Sequence, residues 1–306
     1  MPITRRKFIH LSSAVSVGLY AKSLDAYAVP LPLNESQAGY RLMVFATNWG
    51  YRGSWGEFAD KIKKAGYDGA ELWYPADASA RKEILNSFSE RNLKLGFLVG
   101  GNDKNHAAHL RQFRTSLEAA AALNPVYINC HSGRDHFSYD QNKAFIDLTT
   151  QVSQATGVPV YHETHRSRIL YAAPVARQYF EKIPALQITL DISHWCNVHE
   201  SLLDDQPESV SLALNRTGHI HARIGHQEGP QVNDPRAPEW KNAVEAHFAW
   251  WDKVVELKKR EGKLLTFLTE FGPVDYMPAL PFTRQPVSDQ WEINTYMLNI
   301  LRARYA

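Results

Sequence analysis

Short apolar runs alternate with amphipathic stretches along most of the chain, and this alternation constrains the fold more than any other feature. Eight of the runs are predicted strands: 42–47, 69–74, 94–99, 126–130, 158–162, 187–191, 219–223 and 264–269. Stretches with apolar residues at helical spacing lie between or after them, at 55–65, 110–123, 243–259 and 289–304. Eight strand–helix units of roughly 33 residues each are typical of a closed barrel. We therefore predict an α/β fold, a single-domain (β/α)8 TIM barrel.

Three other kinds of structure lack support in the sequence. No Gly-x-Gly-x-x-Gly motif follows the first predicted strand, so a dinucleotide-binding Rossmann fold is not indicated. No run approaches the roughly 18–20 apolar residues of a membrane-spanning helix, so no stable membrane span is predicted after signal cleavage. Cys130 and Cys196 lack the spacing of a zinc motif and are predicted to be small buried residues, with a disulfide as the alternative.

The N-terminal segment resembles an export signal. Two arginines precede a phenylalanine within residues 4–8, a mild apolar run covers 11–21, and residues 26–28 have the small-x-small pattern of a signal peptidase site. This pattern is similar to a twin-arginine signal, so we predict an exported, periplasmic protein with the twin-arginine export machinery as a transient partner. A basic, unstructured N-terminus is the alternative.

Three segments follow from these features: a signal peptide over residues 1–28, a linker over 29–38 and a barrel catalytic domain over 39–306. The whole chain has a formal net charge of +2, but residues 1–28 contribute four basic side chains and one acidic side chain. The remainder holds 30 basic and 31 acidic residues, a net charge of −1. Because a near-neutral domain has no bulk attraction for phosphate backbones, no nucleic-acid partner is predicted.

Acidic and histidine side chains accompany the last four predicted strands. Glu163 follows the fifth strand, Asp191 ends the sixth, His221 lies on the seventh and Glu270 follows the eighth. The carboxyl ends of barrel strands meet at one mouth, where such enzymes build their active sites. We therefore expect these four side chains to converge at the mouth.

Convergence of three carboxylates in a buried site costs too much free energy unless a cation compensates their charge. Three oxygen ligands and one imidazole suit Mn²⁺, Mg²⁺ or Co²⁺, and they also accommodate Zn²⁺. The sequence therefore predicts one divalent metal ion held by Glu163, Asp191, His221 and Glu270. Unrelated polar residues on the rim of the barrel are the alternative interpretation.

A second set of side chains near the strand ends is predicted to bind substrate. Its members are His194, His131, Arg223, Trp49, Glu71 and Trp73. The first of these follows Asp191 in a predicted strand-end loop that leans over the cavity. Tryptophan rings at a barrel mouth can stack on the C–H faces of a sugar, and arginine can hold an anionic or polyol group. Each member has a plainer interpretation as a core, rim or ion-pair residue.

Four motifs carry a resemblance to a known group of proteins: Glu163 after strand five, Asp191-Ile192-Ser193-His194 after strand six, His221 on strand seven and Thr269-Glu270-Phe271-Gly272 on strand eight. In this order they resemble the xylose-isomerase-like TIM-barrel superfamily, which includes sugar phosphate isomerases and epimerases and family 2 AP endonucleases. The resemblance spans nearly all of the chain after the signal segment. It identifies the superfamily better than it identifies a substrate.

The resemblance implies a metal-dependent sugar isomerase or epimerase. In similar enzymes the counterparts of Glu163, Asp191, His221 and Glu270 bind the metal, and the counterpart of His194 contacts the substrate. The metal would chelate a carbonyl and a neighbouring hydroxyl oxygen of a keto-sugar or related polyol and stabilise an enediolate. Glu163 and Glu270 would be the catalytic residues, one removing a proton and the other delivering a proton to the opposite face.

The chain departs from the ketose 3-epimerase pattern at two positions. Those enzymes tend to carry an acid shortly after the strand-five glutamate and an arginine shortly after the strand-seven histidine, where this chain has Ile169 and Gln227. The Gly- and Pro-rich segment 225–235, which follows strand seven, is predicted to be a structured loop or lid over the mouth.

Three other functions stay open. Elimination of a leaving group on the same barrel would give a dehydratase or lyase of the inosose-dehydratase type, and the sequence does not separate that outcome from proton return. An AP-type endonuclease needs additional histidines, but arginine occupies one such position in Asp234-Pro235-Arg236. A periplasmic sugar-binding protein would keep the pocket without a working base.

Overall fold

Eight parallel strands close into a barrel in the computed structural model, which describes residues 39–306. The strands are β1 (Arg41–Thr47), β2 (Gly69–Trp73), β3 (Lys94–Gly100), β4 (Ile128–His131), β5 (Val160–Glu163), β6 (Ile188–Leu190), β7 (Thr217–His221) and β8 (Leu264–Thr269). Each strand pairs with the next along the chain, and β1 closes the ring on β8, with Phe45 opposite Leu268. The carboxyl ends of all eight strands therefore surround one opening.

Helices connect the strands and form the outer layer. They are α1 (Trp55–Ala65), α2 (Ala78–Glu90), α3 (His106–Ala121), α4 (Tyr139–Thr156), α5 (Ala173–Lys182), α6 (Ile192–Val198), α7 (Pro207–Arg216), α8 (Lys241–Glu261) and α9 (Gln290–Tyr305). Two of them, α6 and α7, lie between β6 and β7. A single turn of 3₁₀-helix, Pro238–Trp240, leads into α8.

Local sequence accounts for where helices begin and end. Ser54 starts α1 with a capping box, because its hydroxyl accepts the Glu57 N–H while the Glu57 carboxylate accepts the Ser54 N–H. Gly262 ends α8 in the left-handed region at φ 62°, which costs little without a Cβ. These signals divide the chain into separate elements before tertiary packing begins.

Two apolar clusters hold the layers together. The larger packs buried helix faces, such as Phe58 and Ile62 of α1, against the outside of the strands. The smaller joins Phe45 and Leu268, which face each other on the neighbouring strands β1 and β8, to Tyr127 just before β4 on the other side of the ring. The three side chains therefore meet inside the barrel. Burial of each such side chain stabilises the fold by about 1.5–3 kcal/mol.

The predicted single-domain (β/α)8 barrel is confirmed, and all eight predicted strands form within two residues of their expected bounds. One local expectation was wrong, because the residues after Asp191 begin helix α6 instead of an open loop. Cys130 and Cys196 are buried and unpaired. None of the helices in the described region has the length and apolar character to cross a membrane. The predicted signal peptide and linker lie outside the described residues, and the domain boundaries stay predictions.

Candidate active site

The four predicted metal ligands stand at the carboxyl ends of four successive strands. Glu163 is the last residue of β5, Asp191 follows β6, His221 is the last residue of β7 and Glu270 follows β8. Ligand atoms of Asp191, His221 and Glu270 lie within 4.8 Å of one another, as do those of Glu163, Asp191 and His194. The barrel thus brings all four together, in two overlapping groups that share Asp191.

The orientation of two of these ligands indicates a shared cation. His221 Nδ1 and Glu270 Oε2 lie 2.9 Å apart, and Glu163 Oε2 lies 3.7 Å from the same nitrogen. Despite this proximity, neither Nδ1 of His221 nor Oε2 of Glu270 forms a hydrogen bond with any described residue. Buried polar atoms rarely stay unpaired. Two buried ligand atoms that converge in this way fit the arrangement of two ligands to one metal ion. Burial opposes protonation of His221, but the carboxylates of Glu270, Glu163 and Glu71 raise its pKa well above the usual value.

The charge of the cluster also fits a divalent ion. Arg223 is fully buried and contacts Asp191 through Nη2, while its Nη1 lies 3.4 Å from Glu270 Oε2. When ionised, the three predicted ligand carboxylates and the neighbouring Glu71 carry four negative charges, and the guanidinium compensates one of them. The negative charge that remains fits a bound cation, so the residues present fit the predicted metal ion.

Asp191 is the most heavily engaged of the carboxylates. Its oxygens accept hydrogen bonds from Ser193 Oγ and from the Arg223 guanidinium. Burial raises the pKa of Asp191 to about 7, and the neighbouring carboxylates of Glu270 and Glu163 act in the same direction against the guanidinium. Burial is therefore the main obstacle to ionisation of Asp191, and the Arg223 guanidinium is the main group that favours its charged form.

Glu71 lies beside His221 and fixes its orientation. The Glu71 oxygens lie 3.4 and 3.5 Å from His221 Nε2, the nitrogen on the far side of the ring from Glu270. A carboxylate there favours a proton on Nε2, whereas Asn129 Nδ2, 3.1 Å from the same nitrogen, can only donate to it. Both contacts hold the ring so that Nδ1 faces Glu270. Burial alone would raise the pKa of Glu71, but His221 and His219 lower it to about 2. These contacts indicate a positioning role, and the predicted substrate contact of Glu71 stays a prediction.

Glu163 is held by two polar partners. Asn129 Nδ2 donates to Glu163 Oε2 at 2.7 Å, and His131 Nε2 lies 2.8 Å from the same oxygen. Burial opposes ionisation of Glu163, but the charges of His131 and His221 hold its pKa well below the usual range. This carboxylate is therefore fixed in position and ionised. The predicted substrate residue His131 lies directly beside it.

Two histidines pack against each other beside this cluster, with their ring planes inclined by 51°. His165 lines the cleft above the barrel, whereas His194 is fully buried and is not among the residues that line it. Their ring centroids lie 3.9 Å apart. His194 Nε2 accepts a hydrogen bond from Arg223 Nη2 at 2.9 Å. The predicted substrate contact of His194 stays a prediction, and His165 is the histidine that faces the cleft.

A cleft of about 490 Å³ opens over the cluster. Its deep end is lined by Glu270, Arg223 and Glu71, and its rim carries Trp49 and Trp73. The two rim rings are 37% and 54% exposed, so aromatic surface is available to a ligand. Another cavity, of about 360 Å³, opens near the amino-terminal ends of β5 and β8, and no predicted site residue lines it.

Three residues of the site received no role from the sequence. Asn129 and His165 each alternate with a predicted site residue, His131 and Glu163 respectively, and so point to the same face of their strand or its extension. That alternation was a usable signal. Tyr276 packs on the Arg223 guanidinium at 4.8 Å from the long segment after β8. Nothing in the local sequence of Tyr276 marks it as a site residue.

A family model described as the xylose isomerase-like TIM barrel matches residues 59–232, more than half of the chain. A search of curated proteins gave no match. Solved structures with the same fold include a 3-keto-D-glucoside 4-epimerase from E. coli, which is 18% identical with a TM-score of 0.57; the match covers 86% of this chain and 99% of that one.

Two further structures have similar scores. A probable 3-DHS dehydratase from Bacillus anthracis is 16% identical with a TM-score of 0.56, and the match covers 86% of this chain and 99% of that one. A D-tagatose 3-epimerase-like protein is 13% identical with a TM-score of 0.54, over 85% of this chain and 97% of that one. At these identities the likeness shows the fold.

Proposed function

The chain belongs to the xylose isomerase-like TIM barrel family, and from that premise we propose that it is a metal-dependent isomerase or epimerase of a keto-sugar or related polyol. The observation that carries the proposal is the convergence of Glu163, Asp191, His221 and Glu270 at the mouth of the barrel, with His221 Nδ1 and Glu270 Oε2 2.9 Å apart. The names of the neighbouring epimerases agree with this reaction class. The substrate is a small carbohydrate bound in the cleft above the cluster.

Glu163, Asp191, His221 and Glu270 would hold one divalent ion, with Mn²⁺, Mg²⁺ or Co²⁺ favoured and Zn²⁺ compatible. When bound, such an ion polarises a substrate carbonyl and makes the adjacent C–H more acidic. Glu71 keeps the His221 ring in its ligating orientation. Arg223 compensates the remaining charge of Asp191.

Proton transfer falls to the two glutamates. Glu270, after β8, lines the cleft, whereas Glu163, the last residue of β5, is 2% exposed and would act on a bound sugar from the other side. One carboxylate removes the proton next to the carbonyl, and the other returns a proton to the opposite face. Asn129 and His131 fix the Glu163 carboxylate in position for proton transfer.

Solvent exchange tests the proposal. Mn²⁺-loaded protein is incubated in D₂O with a panel of keto-sugars that includes 3-keto-D-glucosides and D-tagatose, and NMR follows loss of the C–H signal beside the carbonyl. We expect exchange in the wild type, a loss of at least about 100-fold in Glu270→Gln, and no change in Glu118→Gln on the exposed face of α3. Folded, metal-loaded protein that exchanges no substrate would overturn the proposal, whereas release of water would indicate the dehydratase reaction.

A further inference from the structure

The cleft is larger than one sugar ring requires. A pyranose of twelve heavy atoms fills about the volume of six waters, ~180 Å³ at ~30 Å³ per water. The cleft measures about 490 Å³. A ring positioned over Glu163 and Glu270 therefore leaves space for a second ring of similar size. That space must extend toward the rim, because the deep end is closed by the buried cluster.

Two tryptophans hold fixed positions beside that space. Trp49 follows β1 and packs edge-on against Tyr276, with ring centroids 4.8 Å apart. A Cβ on Gly272 would lie 2.4 Å from the Trp49 ring, so only glycine allows the ring to rest on this backbone. Trp73, at the end of β2, packs edge-on against His131 at 5.5 Å. Both rings are held by neighbours yet keep exposed surface.

The lining near the two tryptophans carries no charged side chain. Among the described residues that line the cleft, Glu71, Arg223 and Glu270 are the acidic and basic ones, and Thr47, Asn48, Gly50 and Tyr51 accompany Trp49. His131 and His165 also line the cleft. The cation at the deep end, Arg223, is already engaged by Asp191 and Glu270. A phosphate group would require a free cation or a cluster of backbone N–H groups. The chemistry of the rim instead matches a neutral ring with an apolar face.

From the volume, the aromatic rim and its lack of charge, we propose that the substrate is a neutral glycoside rather than a free monosaccharide or a sugar phosphate. Its reacting sugar lies over Glu163 and Glu270, and its second ring stacks on Trp73 and Trp49. The second ring is either a sugar or an aromatic aglycone, since both present a flat apolar face to indole. This inference rests on the proposed function only for the placement of the reacting ring.

Calorimetric titration of Mn²⁺-loaded protein tests the inference without turnover. The probes are D-glucose, cellobiose, phenyl β-D-glucopyranoside and D-glucose 6-phosphate. We expect both glycosides to bind at least about tenfold more tightly than glucose, and the phosphate to gain nothing over glucose. Trp73→Ala should bring the ratio of glycoside affinity to glucose affinity close to one, since truncation takes away the stacking surface. Phe282→Ala, whose ring is fully exposed outside the cleft, is the matched control.

Three outcomes overturn the inference. The glycosides bind no better than glucose or not at all, the Trp73→Ala protein keeps the full ratio of glycoside to glucose affinity, or D-glucose 6-phosphate binds more tightly than the glycosides, which would assign the site to sugar phosphates. The proposed isomerase activity is tested independently, because its test measures hydrogen exchange at carbon, whereas this titration measures binding alone. A protein that prefers glycosides but exchanges no proton would keep the glycoside site and lose the isomerase activity.

Discussion

Glu71 is a buried carboxylate that helps to orient a histidine of the proposed metal site. It contacts both His219 and His221 and is 4% exposed, so it lies within the wall of the site. Because Glu71 lies against Nε2 of His221, the opposite nitrogen faces Glu270 and Glu163. The orientation of this ring is the one that the proposed metal site requires.

Glu71→Gln tests this positioning role. The substitution keeps the side-chain shape but replaces a charged acceptor by a neutral amide, so we expect Mn²⁺ affinity to fall about 10- to 100-fold. Competition against a chromogenic chelator measures the affinity, with Glu118→Gln as control. Unchanged Mn²⁺ affinity combined with a raised KM would contradict the positioning role and support the predicted substrate contact.

Arg223 and the proposed metal ion together compensate the negative charge of the carboxylates in the cluster. Arg223→Met leaves Asp191 and Glu270 without their guanidinium, and breaking a buried ion pair typically costs about 3–5 kcal/mol. A bound divalent ion supplies replacement charge, so the fall in Tm should be larger in EDTA than in excess Mn²⁺. Thermal unfolding under both conditions measures the difference, with Arg177→Met on the surface of α5 as control. Equal losses in the two conditions would contradict this shared-charge description.

At the scale of elements, the connection from β7 to α8, which contains the predicted loop 225–235, is held against the barrel by hydrogen bonds. Gln231 exchanges two hydrogen bonds with the backbone of Gly272, and Val232 is fully buried. The Gly225 N–H donates to His247 Nε2 at 3.2 Å, so the ring proton must reside on Nδ1, which lies 2.8 Å from the Ala243 carbonyl. The predicted loop over the mouth is therefore well anchored in the structure.

This anchor predicts a pH dependence of stability. Burial lowers the pKa of His247 to about 4, the backbone hydrogen bond to Ala243 opposes the shift, and Arg223 adds to it. As the pH falls, His247 of the unfolded chain thus binds a proton near its ordinary pKa of 6.5, whereas His247 of the folded chain does so only near pH 4. The stability contributed by neutral His247 is complete above pH 6.5 and falls as pH drops toward 4.

Comparison with His247→Gln isolates this contribution. Glutamine does not titrate, so between pH 7 and pH 4 we expect the wild type to lose about 3 kcal/mol more unfolding free energy than the variant. Urea unfolding at both pH values provides the measurement, and the difference between the two proteins cancels the titration of other groups. Parallel pH profiles for the two proteins would contradict a buried, neutral histidine at this position.

At the scale of the whole molecule, the barrel is the part that sequence predicts best. Its strands are short buried runs, and its helices carry capping residues such as Ser54 and Gly262. The carboxyl ends of the strands in a closed parallel barrel must meet at one mouth. The convergence of four polar residues on successive strands could therefore be predicted from the sequence alone. The structure places Glu163, Asp191, His221 and Glu270 there.

The finer structure of the site depends on tertiary contacts that no local pattern encodes. Tyr276 reaches Arg223 from a long connection, and Asn129 bonds to Glu163 across neighbouring strands. Helix α6 is seven residues long and too short for a periodic signal. The burial of His194 also could not be predicted from the sequence. The residues after Asp191 form a helix and not a loop, and this helix buries His194 beside His165.

Metal content is the most direct test of the central claim. Protein purified without added metal is analysed by inductively coupled plasma mass spectrometry, wild type beside the double variant Glu163→Gln/Glu270→Gln. Uncompensated charge around four converging ligands predicts close to one divalent ion per wild-type chain and loss of that ion in the double variant. A folded wild-type protein that binds no divalent metal, even when Mn²⁺, Mg²⁺, Co²⁺ and Zn²⁺ are supplied in excess, would contradict it.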